Sequence, residues 1–134
     1  MNCIFCKIIS GEIPARKLYE DDEFIAILDA FPSSLGHSLV IPKGHVSDVL
    51  EMDEALAGRA FALAAKIAKK MTSALGCSGV NILQNNREAA GQTVHHFHVH
   101  VIPRYMGDNV TIRWTTTKSN NEDAEKIREK LAHL

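Results

Sequence analysis

His96-Phe97-His98-Val99-His100-Val101-Ile102 is the stretch of this chain that decides its fold, because histidine and apolar residues alternate strictly from His96 to Val101. Alternate side chains of an extended strand point the same way, about 6.6 Å apart. We therefore expect a strand over residues 94–102, ended by Pro103, with three imidazoles on one face and apolar side chains on the other. Three buried imidazoles need hydrogen-bond partners that apolar residues would not need, which favours a functional role for this face.

The composition is that of an ordinary globular protein, with 46% hydrophobic and 23% charged residues in 134. This length suits one domain over residues 1–134. A net charge of -1 gives no bulk electrostatic attraction to nucleic acid or to an anionic membrane. No apolar run is long enough to cross a membrane and no export pattern opens the chain, so we expect a cytoplasmic protein. Three cysteines, an odd number, argue against a disulfide framework.

The rest of the chain alternates short strand patterns with helical ones. The clearest helix follows Asp53, a good N-cap, and repeats apolar residues at spacings of three and four until Gly76. Strand patterns lie at residues 17–19, 24–28, 38–41 and 80–83, and short helices are expected at residues 3–9 and 123–134. Because the early strands have too few residues between them for parallel crossovers, we predict an α+β domain with an antiparallel sheet, one long helix and short terminal helices.

Two kinds of chemistry are open to the histidine face. Histidine is the commonest metal ligand, but the backbones of His96 and His100 lie about 13 Å apart along a strand, so all three imidazoles cannot ligate one ion. The second kind is nucleophilic catalysis at phosphorus, in which a neutral imidazole displaces a leaving group and forms a covalent adduct. His98, at the centre of the row, is then the expected nucleophile, and His100 donates to a phosphate oxygen or to the leaving group.

The same stretch resembles the signature of the histidine triad (HIT) family, which reads histidine, apolar, histidine, apolar, histidine, apolar, apolar. The resemblance extends through residues 4–9, 12–15, 20–22, 37–43 and 91–94. It implies a HIT-like fold and a nucleotide-binding homodimer, with a purine nucleoside monophosphate as the expected ligand. It also implies hydrolysis or transfer of that nucleotide from a phosphoramidate or phosphoanhydride bond, through a nucleotidyl-histidine intermediate.

Matched by motif position, the resemblance implies that His98 is the nucleophile and that His96 and His100 are its flanking partners. It implies a ribose-binding carboxylate at Asp29, which is chemically sensible because two acceptor oxygens match a diol. It implies a fourth histidine, His37, near the phosphate. Three loop residues, Asn85, Gln92 and Thr93, are implied contacts of the phosphate, and three apolar residues, Phe5, Ile8 and Ile27, are implied contacts of the base. Each of these residues also has an ordinary explanation as a turn cap, a loop residue or core.

A separate motif, Cys3-Ile4-Phe5-Cys6, has the compact spacing that zinc favours, and a tetrahedral ion needs two further ligands. Some bacterial-type members of the family are similar in adding a histidine after the Pro-Lys strand and the first histidine of the triad, which here are His45 and His96. The resemblance thus implies a structural zinc site on Cys3, Cys6, His45 and His96. Two buried thiols on a short helix are the alternative.

Three functions follow from these observations. The first is a nucleotide phosphoramidase or hydrolase that acts through a covalent histidine adduct. The second is a nucleotide-binding regulatory or interaction module with little turnover, and the third is a hydrolase that uses its histidines as ligands of a catalytic metal. After Arg104 the chain departs from the shorter phosphoramidases of the family, which leaves the leaving group open.

Overall fold

The computed structural model describes residues 2–134 and has an α+β fold, as the sequence predicts. Its five strands form one antiparallel sheet in the order β1-β2-β3-β5-β4. The strands are β1 (Lys17–Glu20), β2 (Phe24–Leu28), β3 (Ser38–Pro42), β4 (Gly79–Leu83) and β5 (Val99–Arg104), and the helices are α1 (Ile4–Ile9), α2 (Glu54–Leu75) and α3 (Asn121–Leu131). Two short 3-10 turns occupy Val49–Glu51 and Glu88–Ala90.

The long helix α2 begins and ends where its sequence signals lie. The side chain of Asp53 accepts a hydrogen bond from the backbone N–H of Leu56, which satisfies one of the free donors of the first turn. Gly76 ends the helix with a φ of 63°, a left-handed conformation that glycine adopts without strain. The predicted helix is confirmed at both ends.

The strand of the histidine stretch begins and ends later than the sequence predicts. The sequence predicts a strand over residues 94–102 that Pro103 ends, whereas β5 runs from Val99 to Arg104 and contains Pro103. His96 and His98 therefore precede the strand, and the backbone N–H of Phe97 donates to Val46 in the loop after β3. Pro103 is tolerated because β3 pairs with β5 only as far as Val101, so the missing N–H faces an edge that β3 does not cover.

The alternation of the histidine stretch nevertheless divides the sheet into two faces as predicted. Phe97, Val99 and Val101 pack with α2 in one hydrophobic cluster, which also holds Ala60, Leu63, Ala64 and Met71 of that helix. The opposite face packs against α1 in a second cluster, whose buried members are Cys3, Phe5, Ile8, Ile25, Ile27, Leu39 and Ile41. The histidines lie on this second face, so α1 is the element that covers them.

The C-terminal segment leaves the sheet after Arg104, whose guanidinium donates to both carboxylate oxygens of Asp108. Helix α3 follows as the terminal helix that the sequence predicts, and Asn120 caps its first turn. Its residues are exposed throughout. Within residues 2–134, no helix has both the length and the apolar character that a bilayer crossing requires.

Candidate active site and metal cluster

A cavity of about 660 Å³ lies between α1, the segment that leads into β1 and the loop that follows β2. Its size is typical of a site for a small organic ligand. Seven of the residues that the sequence singles out line it: Phe5, Ile8, Ile27, Asp29, Thr93, His98 and His100. The remaining lining is mostly aliphatic, so the polar groups that a ligand meets are concentrated near Asp29 and the two histidines.

The hydrogen bonds of His98 determine which of its nitrogens is free. Its Nδ1 lies 2.8 Å from the backbone carbonyl oxygen of His96. Because a carbonyl can only accept, Nδ1 carries the proton and the lone pair is on Nε2. Burial lowers the pKa of the His98 imidazole, although the bond to His96 and the charge of Asp29 oppose this effect. His98 is therefore a neutral imidazole at pH 7 with an unprotonated Nε2.

His100 is held by a chain of hydrogen bonds that begins in the loop after β2. The backbone N–H of Ser33 donates to Nδ1 of His37 at 3.0 Å, so His37 carries its proton on Nε2. That nitrogen lies 2.9 Å from Nδ1 of His100 and donates to it. His100 in turn carries its own proton on Nε2. The hydrogen-bond chain that starts at Ser33 thus makes His100 a hydrogen-bond donor through its Nε2.

Burial, together with the neighbouring imidazoles of His98 and His37, lowers the pKa of His100 to about 4. Burial also lowers the pKa of His37, against the opposing charge of Asp29. Both rings are consequently neutral at pH 7. A neutral His100 contributes a hydrogen-bond donor rather than a positive charge to the cavity.

Asp29 connects the hydrogen-bond chain of Ser33, His37 and His100 to the cavity. One carboxylate oxygen accepts from the backbone N–H of Phe31 at 2.9 Å, and the other lies 3.5 Å from Nε2 of His37. The side chain is only 20% exposed, and it lines the cavity with lone pairs still available to a ligand. A carboxylate in this position can accept two hydroxyl groups.

Three residues that the resemblance places at or near the phosphate are absent from the cavity lining. The amide of Gln92 is buried and fully used by the backbone, since it accepts from Arg87 and donates to the carbonyls of Ser47 and Val94. Asn85 and His37 are also absent from the cavity lining. Gln92 therefore shapes the loop before the histidines, and His37 donates to His100 rather than lining the cavity.

A second group of side chains lies beside the cavity, where α1 meets the loop after β3. Nδ1 of His96 is 3.4 Å from Sγ of Cys3, 3.6 Å from Sγ of Cys6 and 3.2 Å from Nδ1 of His45, and Cys6 and His45 are 3.4 Å apart. A tetrahedral zinc ion with Zn–S of about 2.3 Å and Zn–N of about 2.0 Å separates sulfur and nitrogen ligands by about 3.5 Å and two nitrogens by about 3.3 Å. The four atoms thus have the spacing of a tetrahedral zinc site.

The protonation of His96 fits the same site. Its Nε2 lies 2.8 Å from the carbonyl oxygen of Pro42 and donates to it, which leaves the lone pair on Nδ1, the atom that faces the two cysteines. A hydrogen bond of this kind commonly orients a histidine that binds a metal. Donor set, spacing and protonation all agree, so these residues fit a zinc ion.

Asp29, His37 and His100 form another group of close ligand atoms, but their hydrogen bonds do not suit a metal. An ion at Nε2 of His37 would need the lone pair there, and the proton would have to move to Nδ1. The backbone N–H of Ser33 would then face a protonated nitrogen. This group is better described as a hydrogen-bond chain that orients His100.

Fold and site together define a histidine triad protein, in which the second and third of three alternate histidines line a cavity, the first lies beside it with two cysteines, and a short helix covers them. A model of the HIT domain matches residues 10–107, and the chain belongs to the HIT family.

Relatives and solved structures agree with this assignment. An adenylylsulfatase of Arabidopsis thaliana is 45% identical over 99% of this chain and 70% of its own, and an adenosine 5'-monophosphoramidase of Schizosaccharomyces pombe is 38% identical over 98% and 97%. The crystal structure of a HIT family member from Bacillus subtilis has a TM-score of 0.91 and 44% identity, covering 98% of this chain and 96% of that one. A Zn-bound histidine triad protein from Mycobacterium smegmatis has a TM-score of 0.80 and 39% identity, covering 98% and 94%.

Two contributors to the site have no signal in the sequence. Ser33 acts through its backbone N–H and Pro42 through its carbonyl oxygen, and any residue type offers these groups. Only the fold brings them within hydrogen-bond distance of an imidazole. Residue type alone therefore could not have identified them.

Proposed function

We propose that this protein cleaves nucleoside monophosphates from phosphoramidate or phosphoanhydride substrates through a covalent nucleotidyl-histidine intermediate. The observation that carries the proposal is the pair of fixed tautomers in the cavity, an unprotonated Nε2 on His98 beside a protonated Nε2 on His100. The first is a nucleophile that needs no separate base, and the second is a donor for a phosphate oxygen. The names of two relatives, a monophosphoramidase and an adenylylsulfatase, support this reaction class.

The reaction proceeds in two displacements at phosphorus. Nε2 of His98 attacks the phosphorus atom, an N–P bond forms, and the bond to the leaving group breaks as that group takes up a proton from solvent. The Nε2–H of His100 stabilises charge on a non-bridging oxygen, and the carbonyl of His96 holds the proton on Nδ1 of the now cationic imidazole. Water then attacks the phosphorus, the N–P bond breaks, and a proton, a nucleoside monophosphate and free His98 are released.

The cavity suits a nucleotide in a defined orientation. The apolar side chains of Phe5, Ile8 and Ile27 form the wall on which a purine base packs, and Asp29 accepts the ribose hydroxyls. The phosphate then lies at His98 and His100, where Thr93 also lines the cavity. Gln92 and His37 act in this proposal by shaping the site rather than by touching the phosphate, and Asn85 has no part in it.

We also propose that Cys3, Cys6, His45 and His96 hold a structural zinc ion. Bound zinc would join α1 to the loop after β3 and to the segment before β5, with no open position for a substrate. The spacing of the four ligand atoms supports this assignment, and so does the Zn-bound relative. Two of the ligands are thiolates, which must stay reduced, and the three cysteines of the chain are unpaired. This favours a cytoplasmic location.

The proposed functional unit is a homodimer, in which each chain forms one HIT domain over residues 1–134. Strand β4 lies at the edge of the sheet, and its outer backbone groups are available to pair with a second chain. Helix α2 packs beside β4 and supplies the rest of such an interface.

The test of the proposed reaction compares His98→Ala with the matched variant His95→Ala, which removes an exposed imidazole three residues earlier. With an adenosine 5'-phosphoramidate, the wild type and His95→Ala should turn over equally and His98→Ala should lose at least about a thousandfold in kcat/KM. Mass spectrometry of wild type quenched in alkaline denaturant, in which the N–P bond survives, should find a nucleotidyl group on His98. Tight nucleotide binding without turnover or adduct would instead identify a binding module, and turnover abolished by brief chelation would identify a metal-dependent hydrolase.

A further inference from the structure

We propose that Cys3 and Cys6 are an oxidation site for hydroperoxides, and that the nucleotide cavity responds to their oxidation through α1. The inference rests on the proposed zinc site for its resting state. It concerns a property of the two thiols that neither structural zinc binding nor nucleotide cleavage requires.

The geometry allows the two sulfurs to join. Cys3 is the N-cap of α1 and Cys6 lies in its first turn, where the Cys3 sulfur accepts from the backbone N–H of Cys6. Their Sγ atoms lie within 4.8 Å of each other, so side-chain rotation can close an S–S bond without unwinding the helix. Cys-x-x-Cys at a helix N-terminus is a spacing that supports reversible disulfides.

An oxidant can reach the pair. Cys3 and His45 line a second hollow of about 640 Å³ that is open to solvent, and Cys6 is itself partly exposed. The third cysteine, Cys77, is buried on the opposite face of the sheet among the residues that pack with α2. Oxidation should therefore begin at Cys6 or Cys3 and spare Cys77.

The chemistry balances with one peroxide and two electrons. The thiolate of Cys6 attacks one peroxide oxygen, the O–O bond breaks, and a sulfenic acid and one hydroxide or alkoxide form. The thiolate of Cys3 then attacks the Cys6 sulfur, the S–O bond breaks, hydroxide leaves, and the disulfide forms. Two of the four side chains that would hold a zinc ion are consumed in this step, and a bound ion would be released as Zn²⁺.

Helix α1 transmits this change because it carries ligands and cavity wall together. Phe5, between the two cysteines, lies edge-on to the rings of His98 and His96, with centroids 5.1 Å and 5.9 Å away. It also lines the nucleotide cavity. When the metal no longer joins α1 to His45 and His96, Phe5 loses its fixed position against the nucleophile, and the loss of two aromatic contacts predicts a roughly tenfold rise in nucleotide Kd.

The experiment uses the full chain carrying Cys77→Ala, which leaves only the pair oxidisable, with its zinc content measured first. One equivalent of hydrogen peroxide should release the zinc to a metallochromic dye, remove both free thiols and lower the mass by about 2 Da. The Kd for a nucleoside monophosphate should rise roughly tenfold, and the imidazole NMR signals of His98 should shift. Dithiothreitol with added zinc should reverse all five changes.

Cys6→His is the matched control, because imidazole still binds zinc but cannot form the disulfide. Its nucleotide Kd and NMR signals should not respond to peroxide. A disulfide without any change in Kd or in the His98 signals would overturn the inference, as would an equal response in Cys6→His. Thiols that resist peroxide in a zinc-containing protein refute the inference and leave the zinc proposal standing. A purified protein that holds no zinc refutes the zinc proposal, and with it the transmission through α1.

Discussion

Acidification should destabilise this fold, and His100 should account for a measurable part of the loss. The pKa of its imidazole is about 4 in the folded protein, against an ordinary value of 6.5. The unfolded chain takes up a proton as the pH falls through 6.5, while folded His100 resists protonation until about pH 4. The contribution is thus fully present above pH 6.5 and is lost between 6.5 and 4, and the loss reaches roughly 2.5 kcal/mol at about pH 4.5.

Urea unfolding of the wild type, His100→Gln and His95→Gln between about pH 4.5 and 7.5 measures this contribution. The free energy of unfolding of His100→Gln should fall less steeply with acid, so that the gap between it and the wild type closes by roughly 2.5 kcal/mol at low pH. His95→Gln, which changes an exposed side chain, should follow the wild type. Parallel curves for the wild type and His100→Gln would refute the description of His100 as a buried neutral donor.

Two further predictions concern the core and the cavity. Ile25→Ala empties a fully buried position under α1 and should lower the free energy of unfolding, measured in urea, by about 3 kcal/mol. Ile127→Ala on the exposed face of α3 should change it by less than about 0.5 kcal/mol. Equal losses in the two variants would mean that α3 is packed. Asp29→Asn should raise the Kd of a nucleoside monophosphate by about tenfold or more while leaving that of its 2',3'-dideoxy analogue unchanged, measured by calorimetry. An equal loss for both ligands would contradict a ribose contact.

Local sequence signals were enough for much of the fold. Asp53 and Gly76 end α2 through contacts within a few residues, and the period of two from His96 to Val101 assigns each side chain to a face wherever the strand begins. The boundary of β5 could not be predicted in this way. Pro103 ends a strand only where a neighbour needs its N–H, and the extent of pairing with β3 depends on the whole sheet.

The candidate site shows the same division. The spacing of Cys3 and Cys6 pointed to a metal because thiolates are chemically specific ligands, whereas His45 and His96 were implied only by the resemblance to the HIT family. The structure brings these four side chains together. The hydrogen-bond partners of Gln92 and His37 could not be predicted, since an amide or an imidazole suits a phosphate, a backbone group or another side chain equally well. Which partner it meets depends on residues distant in the chain.

The join between β3 and β5 has a consequence for local unfolding. Only three residue pairs connect these strands, from Ser38 with Val101 to Val40 with Val99. One side of the join carries Asp29 and His37, and the other carries His98 and His100. We expect a brief sub-global opening at this short ladder to separate His37 from His100. The lifetime of the hydrogen bond between these two histidines would then depend on the opening rate of three residue pairs, which hydrogen exchange at those amides would report directly.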